Sequence, residues 1–133
     1  MEMDVIEVKL SIEKNEAVIA HLIFQNKSGK NIYLNKQVMY YNGWVRNSYF
    51  EIENSNGVRI SYLGIMANCT RMPDEYLILK PAEEVSSAIS LKEWYKLTKG
   101  ESYKIKYYAF NPSFKQEQQQ SMEMQSNQVE ILY

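Results

Sequence analysis

Short runs of alternating hydrophobic and polar residues recur along most of this chain. In the first run, Ile6, Val8, Leu10 and Ile12 alternate with charged or polar residues. A period of two puts alternate side chains on opposite faces of a β-strand, so this run predicts a strand with one buried face. The second run, residues 17–25, is largely apolar on both faces, and we therefore expect it in the middle of a sheet.

Further runs of strand character follow, and turn residues separate them. They cover residues 32–34, 49–53, 58–65, 76–79, 85–91, 103–110 and 128–132. The dipeptide Asn42-Gly43 and residues 54–57 are strong turn signals between them. Ser90 and Glu93 have the spacing of a capping box, which predicts one short helical turn over residues 91–97.

About eight or nine short strands with turns between them are typical of a sandwich of two sheets. We therefore predict an all-β fold, an immunoglobulin-like antiparallel β-sandwich, as a single domain over residues 1–133. The polar residues 111–126 are expected to form an extended loop within it. Tyr103 suits the role of a tyrosine corner, in which the hydroxyl group bonds back to the backbone near the start of a strand.

Charge and composition exclude several classes of partner. The 133 residues are 45% hydrophobic, and 15 basic against 16 acidic residues leave a net charge of −1. Nucleic-acid binders carry a clustered excess of Lys and Arg, so we expect no nucleic-acid partner. No apolar run approaches the length that spans a membrane, so we also expect no membrane insertion.

The cysteine content and the first residues of the chain bear on its compartment. Cys69 is the only cysteine, which rules out an intrachain disulfide and suits a reducing environment. The first ten residues lead directly into strand pattern and lack the features of a signal peptide. The expected location is the cytoplasm, although removal of a signal peptide would leave secretion or the periplasm open.

Three segments between residues 62 and 107 are similar to a known pattern. They are Tyr62-Leu-Gly-Ile65, Tyr76-Leu-Ile-Leu-Lys-Pro-Ala-Glu-Glu-Val85, and Leu91 and Tyr95 followed by Gly100-Glu-Ser-Tyr103-Lys-Ile-Lys-Tyr107. Together they resemble the immunoglobulin-like β-domain of deuterolysin-type (aspzincin) metalloendopeptidases, over roughly residues 5–108. The H-E-x-x-H helix and further Asp ligand of that family's catalytic domain are absent from this sequence. The resemblance therefore implies a fold and no activity.

Catalytic chemistry has few candidate residues. A zinc site needs three or four converging ligands, whereas the chain offers one histidine and one cysteine, His21 and Cys69. His21 lies in the middle of a strand among aliphatic residues, which favours a structural role. We expect no metal, no cofactor and no enzymatic activity; a hydrolase would need Cys69 exposed and beside His21.

An aromatic cluster is the main candidate for binding. Its members are Tyr40, Tyr41, Trp44, Arg46 and Tyr49. Tyr, Trp and Arg dominate the energetics of protein interfaces, but the same rings could instead cover an open sheet face as part of the core. Arg71 and Met72, in the loop over residues 67–74, are a second candidate surface.

These observations favour a small, soluble, non-enzymatic module that binds another protein. Within that class we predict a bacterial inhibitor or immunity-type protein that blocks a toxin or protease sterically through its aromatic loops. The alternative is an accessory module that binds carbohydrate or another surface, because exposed Tyr and Trp rings also stack on sugars. Coplanar exposed rings in a shallow groove would favour the alternative.

Overall fold

The computed structural model describes residues 6–67, 73–112 and 122–133. Nine strands lie within these ranges: β1 (Ile6–Lys14), β2 (Val18–Asn26), β3 (Ile32–Asn35), β4 (Phe50–Asn54), β5 (Tyr76–Leu79), β6 (Glu84–Ser90), β7 (Ser102–Asn111), β8 (Met122–Gln125) and β9 (Val129–Leu132). The helical content of the same ranges is three short 3-10 turns, Tyr41–Gly43, Pro73–Glu75 and Leu91–Glu93. The predicted all-β class is confirmed.

The first sheet has the order β1–β2–β6, with both pairs antiparallel. The apolar second run is thus the central strand, as its pattern predicts. Its inner side chains are fully buried, whereas Ile23 on its outer face is exposed to solvent. The apolar residues on the outer face of β2 are therefore not all covered by another part of the described structure.

The second sheet is built on β7, which pairs with β4 along one edge. Along the other edge, β8 pairs with the second half of β7 and β9 with the first half. Tyr108 pairs with Gln125 and Ile105 with Val129, so residues 126–128 stand opposite only two residues of β7. An extra residue on one strand is a β-bulge, and it turns residues 126–127 toward β1.

The bulge connects the two sheets at one side of the molecule. Ser126 forms a parallel bridge with Val8. The Asn127 amide extends this contact, because its Oδ1 accepts from the Leu10 N–H at 2.8 Å and its Nδ2 donates to the Leu10 carbonyl at 3.0 Å. A side-chain amide thus takes the place of a strand at this edge of β1.

The third group of strands is the antiparallel pair β3–β5. The buried Asn111 side chain at the end of β7 holds this pair in place. Its Nδ2 donates to the Tyr33 carbonyl at 2.9 Å, and its Oδ1 accepts from the Asn35 N–H at 2.7 Å. Buried amides are retained where both of their polar atoms are bonded, as here.

A hydrophobic core fills the space between the sheets, and this confirms the sandwich. Phe24 of β2 packs edge-on against Tyr107 of β7, with ring centroids 5.5 Å apart. Along β1 and β7 the buried residues alternate with more exposed ones, as expected for strands with one face on the core. The hydroxyl group of Tyr103 accepts from the Thr98 N–H at 2.7 Å, which confirms the expected link to the backbone before β7.

Three details of the predicted elements are wrong. Residues 58–65 form no regular strand and make only isolated bridges, at Arg59 and at Tyr62. The predicted loop 111–126 overlaps β7 at its first residue and contains β8; residues 113–121 lie outside the described ranges. The helical turn is shorter than expected, and the Ser90 side chain makes no capping hydrogen bond.

Candidate functional site

The predicted aromatic cluster lies in the connection between β3 and β4, residues 36–49, which we call the aromatic loop. Its backbone is left-handed at Tyr40, Asn42 and Gly43, with φ of 56°, 56° and 72°. A Cβ at Gly43 would lie 3.3 Å from the Ala88 carbonyl of β6. The Ser87 hydroxyl also donates to the Met39 carbonyl, at 2.7 Å. The Asn42-Gly43 turn therefore forms as predicted and lies on the edge strand β6.

Tyr40 is part of the core, which corrects its assignment as a binding residue. It is 1% exposed, and its ring stacks on Phe50 with centroids 5.6 Å apart. Its hydroxyl accepts from the Tyr49 N–H at 2.7 Å and donates to the Asn47 carbonyl at 3.1 Å. Because these bonds satisfy the hydroxyl, the whole side chain can be buried. Burial also raises the pKa of Tyr40 well above its usual value, and the nearby Tyr95 adds to this effect.

Tyr41 and Tyr49 are half-buried, and both pack against the core. The Tyr49 ring lies edge-on to Tyr40, with centroids 5.5 Å apart. The Lys36 ammonium lies 5.2 Å from the centroid of Tyr41, within the range of a cation–π contact. The core explanation is therefore correct for Tyr40 and partly correct for these two rings.

Trp44 and Arg46 form the exposed part of the aromatic loop. The Trp44 side chain is 44% exposed, and the Arg46 guanidinium carbon lies 4.5 Å from its ring centroid. The Arg46 Nε is buried and has no hydrogen-bond partner among the described residues. The guanidinium thus lies over the indole at the distance of a cation–π contact.

A second loop follows β4 over residues 55–67 and carries exposed aliphatic side chains. Ile65 is 63% exposed and Met66 is 73% exposed. The neighbouring Ala67 donates its N–H to the Arg46 carbonyl at 2.9 Å, and its own carbonyl accepts from the side chains of Gln37 and Asn47. These bonds bring the backbone of the second loop next to Arg46, one residue after the exposed Ile65 and Met66. We call the four residues Trp44, Arg46, Ile65 and Met66 the Trp44 surface.

Sequence reasoning missed Ile65 because it placed residues 58–65 in a strand, and it missed Met66 because the second predicted surface began at Ala67. The signal that could have found them is the run Ile65-Met66-Ala67, in which apolar residues follow one another without alternation. Arg71 and Met72, the second predicted surface, lie outside the described residues, as does Cys69.

The described residues contain no group of three or more His, Cys, Asp or Glu that could hold a metal ion. The His21 Nε2 lies 2.9 Å from the Glu13 carboxylate, on an exposed strand face. A groove of about 700 Å³ follows β1 beside residues 125–127, and Glu7 and Lys27 at its rim form an ion pair at 3.5 Å. No helix in the described ranges is long and apolar enough to cross a membrane.

The chain matches no protein-family model, and no curated protein is significantly similar to it in sequence. The resemblance to deuterolysin-type β-domains stays a prediction. Interpretation of the site therefore depends on its own geometry.

Proposed function

We propose that this protein is a non-enzymatic binding module that docks on another protein through the Trp44 surface. The exposed Trp44–Arg46 stack beside Ile65 and Met66 carries the proposal. Trp and Arg are the residue types most enriched in interface hot spots, and adjoining exposed aliphatic side chains supply the apolar contact around them. Hydrogen bonds to Ala67 hold the two loops together, so little order has to be gained on binding.

The same geometry argues against a sugar-binding platform. Sugars stack on open ring faces, and one face of Trp44 is covered by the Arg46 guanidinium. Tyr40 is buried, and Tyr41 and Tyr49 are half-buried against the core. A row of coplanar exposed rings is therefore missing from the described part of this loop, and a protein partner is the better match.

The finer proposal is that the partner is a toxin or a protease and that this chain is a small bacterial inhibitor or immunity-type protein. Binding through protruding loops would block an active site or an exosite sterically, without chemistry. The compact sandwich supports this mechanism, because it presents the loop on a scaffold in which hydrogen bonds and core packing fix the loop backbone.

A quantitative affinity capture tests the proposal. The tagged protein is incubated with lysate of the organism that carries the gene, and the captured proteins are compared between the wild type and Trp44→Ala. Phe110→Ala is the matched control, because Phe110 is an exposed aromatic residue on β7, 54% accessible. We expect a partner that the wild type and Phe110→Ala retain and that Trp44→Ala loses by about tenfold or more. Equal capture by all three variants would contradict the proposal.

A further inference from the structure

The two loops that form the Trp44 surface carry positive charge in a chain that is almost neutral overall. Residues 17–50 and 54–73 contain no Asp or Glu. The same stretches place Lys36, Arg46 and the exposed Arg59 in these loops. The nearest acidic residues by backbone contact are Glu75, whose carbonyl accepts from the Lys36 N–H, and Glu53, which bridges Arg59.

None of these three cations forms an ion pair within the described residues. The ion pairs found there join Glu13 to His21 and Glu7 to Lys27, both on the first sheet or the turn after it. Lys36 and Arg46 instead rest on aromatic rings. Since aromatic rings attract cations without cancelling their charge, both groups keep their positive charge in these loops.

Arg46 is the best-oriented of the three. Cation–π attraction to the Trp44 ring restrains its guanidinium, whose planar fork matches the two oxygens of a carboxylate. No carboxylate in the described part of the chain forms an ion pair with Arg46. Ile65 and Met66 beside it offer apolar contact to a neighbouring side chain of the ligand.

We infer that the Trp44 surface takes an acidic protein segment, whose carboxylate pairs with Arg46 and whose adjacent apolar side chain packs on Ile65 and Met66. This inference rests on the proposed function and adds the chemistry of the partner. A nucleic acid is the weaker match, because three dispersed cations provide little phosphate neutralisation and the surface is largely apolar.

A random-peptide phage library is the probe for this inference. The library is selected on the wild-type protein after depletion on Trp44→Ala, so that only peptides that need the surface are kept. We expect these peptides to be enriched in Asp or Glu next to a large apolar residue. A synthetic peptide of the consensus should lose about tenfold or more in affinity to Arg46→Gln, and the salt dependence of its binding should flatten in that variant.

Lys9→Gln is the matched control, because it removes one exposed positive charge from β1 and should leave the peptide affinity unchanged. Circular dichroism checks that all variants fold. Peptides that need Trp44 but lack acidic enrichment, or that bind Arg46→Gln as tightly as the wild type, overturn the inference and leave the proposed function standing. Failure to select any Trp44-dependent peptide contradicts the proposed function itself. A fluorescent oligothymidylate that binds the wild type and is lost with Arg46→Gln also overturns the inference, in favour of nucleic acid.

Discussion

Tyr40 anchors the aromatic loop through a combination of strain and hydrogen bonding. Its backbone is left-handed, which costs a residue with a Cβ roughly 1–2 kcal/mol. The buried ring, stacked on Phe50, and the two hydroxyl bonds to Tyr49 and Asn47 offset that cost. The position of Trp44, four residues on, depends on this anchor.

Replacing Tyr40 by Phe should therefore destabilise the fold without removing its ring. The Tyr49 N–H and the Asn47 carbonyl lose their partner, and we expect the free energy of unfolding to fall by about 1–3 kcal/mol. Urea denaturation measures this change. Tyr41→Phe is the control, expected within about 0.5 kcal/mol of the wild type, because its half-buried hydroxyl makes no hydrogen bond in the described structure. Equal stability of the two variants would contradict the anchoring role.

At this scale the sequence identifies the residue types and leaves their environments open. Tyr40 and Trp44 are both large aromatic residues in one segment without periodicity, so no local pattern separates the buried one from the exposed one. The separation depends on contacts with Phe50, Tyr107 and β6, which only the fold brings close.

Glycine positions in the connecting elements show how the loops meet the sheets. Gly43 and Gly57 both have positive φ, 72° and 76°. Gly43 lies against the backbone of β6, whereas the space around Gly57 is open. A comparison of substitutions at the two positions therefore separates the cost of a left-handed backbone from the cost of a steric contact.

Alanine at these two glycines should give graded losses of stability. Gly57→Ala should cost about 1 kcal/mol from its left-handed backbone alone. Gly43→Ala should cost about 2 kcal/mol, because its Cβ also presses on the Ala88 carbonyl. Gly29→Ala is the control, since Gly29 has neither a positive φ nor a close neighbour, and it should change little. Thermal denaturation of the three variants measures the order of their stabilities. A loss at Gly57 equal to that at Gly43 would contradict an added cost from the contact with β6.

Strands with one buried face were predictable because their alternation is a local property. The pattern for β1 and β7 agrees with the observed burial along both strands. Residues 58–65 have similar alternation, yet a strand also needs continuous pairing, and this segment pairs with the outer edge of β4 only at the Glu53–Arg59 bridge. Pairing partners are not encoded locally, which is why this element was wrong.

Buried tyrosines give the whole molecule a defined response to alkaline pH. Burial raises the pKa of Tyr40 and of Tyr95 in the folded protein. The unfolded chain has tyrosines that lose their proton near pH 10, so above about that pH it binds fewer protons than the folded chain. The stabilisation that these two tyrosines contribute is then fully present below pH 10 and declines as the pH rises further.

We expect the free energy of unfolding to fall between about pH 10 and 11.5, by at most about 1.4 kcal/mol per pH unit for each protected tyrosine. Urea denaturation across this range measures the slope. Tyr40→Phe should start from a lower stability and show a shallower decline, because one of the protected groups is removed. A decline as steep as that of the wild type would assign the effect to other tyrosines.

The positions of the charged residues in the fold are also a property of the whole molecule. A value of −1 gives no hint of a cationic surface. The fold brings two acid-free stretches together at Ala67 and Arg46, while carboxylates such as Glu7 and Glu13 lie on the first sheet. The net charge and the acid-free stretches can be read from the sequence, whereas their meeting in space could not be predicted from it.

The Asn127 amide has a consequence for self-association. An outermost strand with open peptide groups is a template on which another extended chain can add, and this is how many β-proteins aggregate. At Leu10 the peptide groups that face away from β2 are already bonded to Asn127, and Ser126 adjoins Val8 just before. Ser126 and Asn127 thus occupy this part of the open edge of β1, and we expect fewer of its peptide groups to be able to pair with a second chain.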